Sequence, residues 1–284
     1  MSFVKTTLIK YHLNMKRFYL EITNSCNLNC PFCSYDKGLD FMPLENIDCY
    51  LDQIKEYCNF VYLHILGEPL LHPDFKKILD LLDEKKMQLQ LVTNGVLLDK
   101  HPDIFSHACL RKLSISLHSI NNLNIRESYY ETIDKLIAAE KKAVLELRFY
   151  DEENLDADLK TYLQKLKDRY GLAATKRLNS YQLKEKVYVS FAELFEWPDI
   201  NQEIISETGT CHGGLDMLAI NVHSEVTLCC LDPKAYNSLG NLQELSLKQI
   251  IESEEYKKIC KDLMNHKIEK ELCKRCSYRL RFLS

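Results

Sequence analysis

The chain has 284 residues, 46% apolar and 27% charged, with 8 glycines and 7 prolines, a globular composition that excludes disorder and low complexity and allows one large domain with an appendage. A formal charge of −4 gives no global drive toward nucleic acid or anionic membranes, and leaves the tail over 274–282 as one candidate for a local basic patch. No run approaches the ~18–20 apolar residues of a membrane span and no apolar signal core opens the chain, so a cytoplasmic location is expected. There, twelve cysteines point to metal ligation rather than disulfides.

From residue 17 to about 192 the pattern repeats as strand, turn and amphipathic helix, which predicts βα units on a parallel sheet. The strand runs lie at 17–23, 60–66, 87–93, 112–118, 144–150 and 186–192. Six such strands predict an α/β fold, a partial (β/α)6 TIM-like barrel. Pro43 and Pro73 are placed in first helical turns, where a missing N–H costs nothing. After Pro73, residues Phe75, Ile78, Leu79 and Leu82 make an apolar stripe of helical period.

The six strands alternate instead of being apolar throughout. Tyr19, Glu21, Tyr62, His64, Gln88, Gln90, Ser114, Ser116, His118, Glu146, Arg148, Tyr150, Tyr188 and Ser190 share the polar face. Helices must cover the apolar face, so the polar one lines an open, wetted barrel interior. A sheet with one solvated face alternates in the same way and is the other reading. After Trp197 and Pro198 the character changes to polar loops, a strand pair over 221–230, short helices and a CKRC tail. The division is placed at 1–198 and 199–284.

Cys26, Cys30 and Cys33 form a CxxxCxxC loop after the first strand. Three thiolates on a 4Fe-4S cube leave one iron open to a ligand, whereas four close it; a structural zinc site with a fourth ligand elsewhere is the alternative. This loop, with Phe32 before the third cysteine, resembles the signature of the radical S-adenosylmethionine (SAM) superfamily. The resemblance implies that the open iron takes SAM and that an electron from the cluster cleaves it to a 5′-deoxyadenosyl radical, which abstracts hydrogen from substrate. HILGEP (64–69) resembles the family's GGEP motif with Leu66 for its first glycine, implying that Glu68 and the adjacent Gly67 and Pro69 hold the SAM amino group. By the same resemblance Asn94 approaches SAM, and Ser116 and Arg148 stand on the strands that hold its ribose and carboxylate. For Arg148 an ion pair with Glu146 or Glu21 is the structural alternative.

Cys211, Cys229 beside Cys230, and the pair Cys273 and Cys276 together resemble the SPASM/twitch extension of radical SAM enzymes. In that pattern a glycine stands five positions before the second cysteine. Ser224 occupies that place here, which selects Cys229 over Cys230, and Gly240 and Asn241 fit the segment that follows. The resemblance implies a small α+β domain of the short twitch form, with one auxiliary 4Fe-4S cluster and no open iron; a four-cysteine zinc ribbon is the alternative. Cys58 and Cys260 read as core residues, Cys49 and Cys109 stay unassigned, and His64 and His118 are interior histidines of open role.

The expected function is hydrogen abstraction from a polar substrate, ending in dehydrogenation with the auxiliary cluster as electron acceptor and a flavodoxin or ferredoxin as donor. The substrate is a small hydroxylated molecule, such as a sugar or aminocyclitol, or a ribosomally made peptide that a maturase crosslinks, epimerises or oxidises. Strands begin near the start of the sequence, leaving no visible peptide-recognition domain, which favours the small molecule. A zinc-stabilised binding module without catalysis is the reading from another class. Oligomeric state and the catalytic acid or base are not legible.

Overall fold

The alternating runs form strands in the computed structural model, which describes residues 15–33, 38–120, 123–125, 127–174 and 179–282. In chain order the strands are β1 (Arg17–Leu20), β2 (Phe60–Tyr62), β3 (Gln88–Thr93), β4 (Leu110–Ser116), β5 (Val144–Tyr150), β6 (Ala173–Ala174), β7 (Ser180–Lys184), β8 (Val187–Ala192), β9 (Met217–Ile220), β10 (Glu225–Thr227) and β11 (Gly240–Asn241). The helices are α1 (Leu44–Lys55), α2 (Phe75–Glu84), α3 (Glu127–Ala138), α4 (Ala157–Tyr170), α5 (Leu247–Ile251), α6 (Glu254–Met264) and α7 (Glu271–Lys274).

Six parallel strands run in the order β1-β2-β3-β4-β5-β8, as their alternation predicts. The sheet does not close. β8 pairs onward with the antiparallel β7, while β1 pairs on its outer side with β9, in register from Arg17 opposite Met217 to Leu20 opposite Ile220. β10 and β11 continue antiparallel, so one eleven-stranded sheet carries strands from both sides of residue 198. The result is an unclosed TIM-like barrel extended at both edges.

One face of the six strands is sealed: Phe18, Leu20, Val61, Leu89, Leu91, Leu113, Leu145, Leu147, Val187 and Val189 are all fully buried. Each such side chain contributes about 1.5–3 kcal/mol when fully buried. Helix α1 supplies Ile47, Leu51 and Ile54, and α2 supplies the predicted stripe Phe75, Ile78, Leu79 and Leu82 to the same core. The opposite face keeps Tyr19, Gln88, Gln90, Glu146, Arg148 and Tyr150 only partly buried, which fits a wetted interior.

Several boundaries differ from the sequence reading. β1 and β2 stop at Leu20 and Tyr62, so Glu21 and His64 stand on the loops beyond them, and His118 sits in a 3-10 turn over Leu117–Ile120. Pro43 and Pro73 lie just outside their helices. The Pro43 carbonyl accepts the N–H of Ile47 at 3.1 Å, and Asp74 intervenes between Pro73 and α2. The strand pair placed at 221–230 is the hairpin of β9 and β10, with residues 221–224 as its turn.

Candidate active site and auxiliary cysteine cluster

The loop after β1 is braced before it carries any chemistry. Thr23 Oγ1 donates to the Asp40 carbonyl at 2.7 Å and accepts from the Ser25 N–H at 3.0 Å, while Asn24 Nδ2 donates to Asp40 Oδ2 at 2.9 Å. The Glu68 N–H bonds the Ser25 carbonyl at 2.8 Å, tying the Gly-Glu-Pro turn to the same loop. Gly67 makes that approach possible: its φ is +65°, and a Cβ there would stand 2.2 Å from the Thr23 carbonyl oxygen.

On this loop Cys33 N–H closes onto the Cys30 carbonyl at 3.0 Å, and Cys30 Sγ lies 3.4 Å from the Ser119 carbonyl. Burial, and then the neighbouring thiols of Cys30 and Cys26, push the Cys33 thiol up to about 11. Burial also raises Cys30. A buried thiol whose ionisation two neighbouring thiols oppose becomes a thiolate beside them only around a positive centre.

The trio lines a cavity of about 140 Å³ whose wall also includes Phe32, Gly67, Glu68, Asn94 and Ser116. The cavity meets an open groove of about 800 Å³ at Phe32 and Ser119. Of the residues expected from the sequence near SAM, Pro69, His118 and Arg148 stand outside the smaller cavity's wall, His118 lining the groove instead. Pro69 begins the buried 3-10 turn Pro69–Leu71. Glu68 accepts from Thr93 Oγ1 and the Asn94 N–H, both at 2.7 Å, and from the Leu70 N–H at 3.1 Å. Burial nevertheless pushes its carboxyl up to about 7. Its side chain thus fastens the end of β3, and Asn94 Nδ2 reaches back to Asn27 Oδ1 at 2.8 Å.

Arg148 lacks both partners considered for it. Lys112 Nζ and Ser114 Oγ each lie 2.7 Å from Glu146, and Glu21 accepts the N–H groups of Leu66 and Val222 at 2.9 and 3.1 Å. Among the described residues no carboxylate forms an ion pair with Arg148. His64, in the cavity wall, has a buried Nδ1 with no hydrogen-bond partner among the described residues. Burial, and then the Arg148 charge, depress its imidazole to about 3. His118 is depressed to about 3 for the same reasons; it stacks on Tyr150 at 3.6 Å, and the Phe32 ring meets Tyr150 edge-on at 5.0 Å.

Trp197 also lines the cavity. In sequence it marks only the end of the βα pattern. Being the single tryptophan of the chain, in the loop that follows the sixth strand run, is the signal that could have drawn it into the site.

The second cysteine set also assembles. The ionisation of Cys229 is opposed by burial and then by Cys230, Cys273 and Cys211, and that of Cys273 by burial, Cys211 and Cys276. Donors meet the sulfurs: the Gly213 N–H reaches Cys211 Sγ at 3.3 Å, Asn237 Nδ2 reaches Cys273 Sγ at 3.6 Å, and the N–H groups of Tyr278 and Arg279 face Cys276. Cys230, beside them, has the Tyr19 hydroxyl as a side-chain hydrogen-bond partner. Ser224, in the place of the pattern's glycine, adopts φ +71° and accepts from Tyr50 Oη at 2.8 Å, so the position does demand a left-handed residue.

The donor chemistry fits iron-sulfur clusters at both places. No group of three or more His, Cys, Asp or Glu among the described residues gathers about a single metal ion, and a cube held at its corners accepts thiolates spread more widely. Most of the basic tail over 274–282 is engaged: Lys274 pairs with Glu207 and Glu271, Arg275 with Glu271, Arg279 is buried, and the exposed Arg281 lies over the Tyr278 ring. No helix among the described residues is long and apolar enough to cross a membrane.

Comparison with known proteins agrees with this arrangement. The radical SAM superfamily pattern matches residues 20–150, and that of an iron-sulfur cluster-binding domain, SPASM, matches residues 211–277. A GTP 3′,8-cyclase of Staphylococcus carnosus is 31% identical over 140 residues, 42% of this chain and 41% of that protein. The matches to such curated relatives span about two-fifths of their length. Among solved structures, BtrN in complex with AdoMet and 2-DOIA has a TM-score of 0.54 at 17% identity, covering 93% of both chains. Native anSMEcpe with bound AdoMet and Cp18Cys peptide has a TM-score of 0.58 at 15% identity, covering 95% of this chain and 87% of that one. A non-catalytic zinc module has no place beside these findings. The chain belongs to the radical SAM superfamily, as an enzyme with a C-terminal SPASM domain whose cofactors are a SAM-binding 4Fe-4S cluster, an auxiliary cluster and SAM.

Proposed function

We propose that the chain dehydrogenates a polar substrate, with the auxiliary cluster as the electron acceptor. In this reading residues 1–198 are the SAM-cleaving core and 199–284 the auxiliary unit. Cys26, Cys30 and Cys33 hold the first cluster, and Cys211, Cys229, Cys273 and Cys276 hold the second. SAM on the reduced first cluster supplies the 5′-deoxyadenosyl radical that takes hydrogen from substrate.

The residues around the cavity then have distinct tasks. Arg148, lacking a carboxylate of its own, grips the SAM carboxylate. Ser116 bonds the ribose, and Phe32, backed by Tyr150 and His118, offers an aromatic surface. The turn of Gly67, Glu68 and Pro69 presents its backbone to the amino group, held in shape because Glu68 is fastened to β3. Asn94 completes the wall, and His64, kept neutral beside Arg148, offers Nδ1 as an acceptor.

The observation that carries the oxidative outcome is the gathering of four thiols at the second set. A cube with all corners ligated accepts an electron and leaves no iron for substrate. A peptide substrate is the second reading. The open groove of about 800 Å³ favours it, with acidic residues Asp151, Glu152 and Glu193 at its wall, as does the likeness to a chain solved with a bound peptide. A cytoplasmic flavodoxin or ferredoxin is the electron donor in either case. The test is anaerobic reconstitution followed by reduction with SAM and candidate substrates. About eight irons per chain and a product two hydrogens lighter that carries a new C=O or C=C bond support the proposal; four irons per chain, an epimer of unchanged mass, or a product whose two lost hydrogens have given a crosslink overturns the dehydrogenase assignment.

A further inference from the structure

Arg279 is among the largest fully buried side chains, with 1% of its surface exposed. It sits in the 3-10 turn Ser277–Phe282, three residues past Cys276. Among the described residues its guanidinium donates to backbone carbonyls: Nε to Cys273 at 2.9 Å, Nη1 to Thr208 at 2.8 Å and Nη2 to Ser206 at 2.6 Å. Among the described residues no carboxylate pairs with it. Carbonyl dipoles orient a guanidinium but carry no net charge, and a cation stripped of water is costly unless an anion faces it.

The groups around Arg279 that do carry negative charge once a metal centre forms are the cysteines. Its Nε is fixed to the carbonyl of Cys273 itself, and its own N–H faces the Cys276 sulfur. Four thiolates outweigh the positive charge of the cube they hold, so the ligated cluster is an anion, and one-electron reduction makes it more negative still. A fixed cation favours the more negative state.

We propose that Arg279 is the buried counter-charge of the auxiliary cluster, a positioning residue that raises its reduction potential and so equips it to accept an electron. The inference rests on the cluster reading given above. In the step it serves, the substrate radical is oxidised by one electron and releases one proton, while the cluster is reduced by one electron. Arg279 touches neither the substrate nor the reacting atoms.

The test is potentiometry of the auxiliary cluster, followed by electron paramagnetic resonance. It uses the full chain carrying C26A, C30A and C33A, so that the second cluster alone gives a signal. R279Q and R279M remove the charge, R279Q keeping an amide donor for the carbonyls, while R279K keeps the charge but not the fork. In whichever neutral variant loads iron, the reduction equilibrium falls at least tenfold, about 59 mV for one electron, while R279K stays near the parent. Equal potentials in all four proteins overturn the proposal, and so does a fall in R279K as large as in R279Q, since the effect would then follow packing and not charge. A parent background that loads no iron overturns the cluster reading itself and the proposal with it.

Discussion

Lys112 Nζ lies 2.7 Å from Glu146 Oε2 on the neighbouring strand, and among the described residues no carboxylate forms an ion pair with the Arg148 guanidinium. Arg148 Cα stands opposite Ser116 in the same register, so the two proposed SAM contacts share one rung of the sheet. Removing Arg148 as R148M therefore weakens SAM binding by about tenfold or more, the worth of one hydrogen bond to a charged group. K112M acts in the same direction but more weakly, because it releases Glu146 to compete for Arg148. Titration of SAM into the anaerobic holoenzyme, read by the signal of the reduced cluster, measures both. Unchanged affinity in R148M contradicts the role.

The two cysteine sets divide the work. C30A abolishes formation of 5′-deoxyadenosine, since its set binds SAM, whereas C276A retains some SAM cleavage and loses substrate turnover. Product quantification separates these outcomes, with circular dichroism to show that both variants fold. Equal loss of cleavage in the two variants speaks against the division.

Gly67 has no room for a methyl group, because its added Cβ meets the Thr23 carbonyl at 2.2 Å and its φ is +65°. G67A destabilises the chain by about 1–3 kcal/mol, lowering Tm by roughly 2–4 °C per kcal/mol at this chain size. It also loosens the cysteine loop from the Gly-Glu-Pro turn. Thermal unfolding under anaerobic conditions checks the first effect and iron retention the second.

His64 links stability to pH. Its folded pKa is depressed to about 3, below the ordinary value of 6.5, by burial and then by Arg148. Between these values the unfolded chain binds the proton and the folded chain does not, so the folded state loses stability as pH falls from about 6.5 toward 3. Glu21 and Glu68, both raised to about 7, act in the opposite sense over an overlapping window. The effect of His64 must therefore be read as a difference. Relative to H64Q, the parent gains up to about 1.4 kcal/mol per pH unit between pH 5 and 6.5, measured by chemical denaturation. Parallel pH profiles for the two proteins contradict the burial of a neutral imidazole.

Much of this architecture is legible in the sequence, because a period of two fixes which side of a strand faces the helices. Phe18 and Leu20, or Leu145 and Leu147, leave no choice of face. The β7 strand is not legible. Its turn into β8 uses Glu185 and Lys186, without the Gly, Asn or Asp that marks a tight hairpin, although Lys186 adopts φ +57°. The cysteine loop announces itself by spacing, whereas the isolation of Arg148 depends on Lys112 claiming Glu146, a choice between two carboxylates that only the folded sheet decides. Arg279 reads as one charge of a basic tail, and its burial follows from contacts with residues 206 and 208, some seventy positions away.

The most direct measurement is the fate of SAM on the reduced, anaerobically reconstituted protein. The three-thiolate site predicts 5′-deoxyadenosine and methionine in equal amounts, lost in C26A, C30A and C33A alike. A fully loaded and reduced protein that leaves SAM intact, or cleavage that survives loss of those three cysteines, contradicts the account.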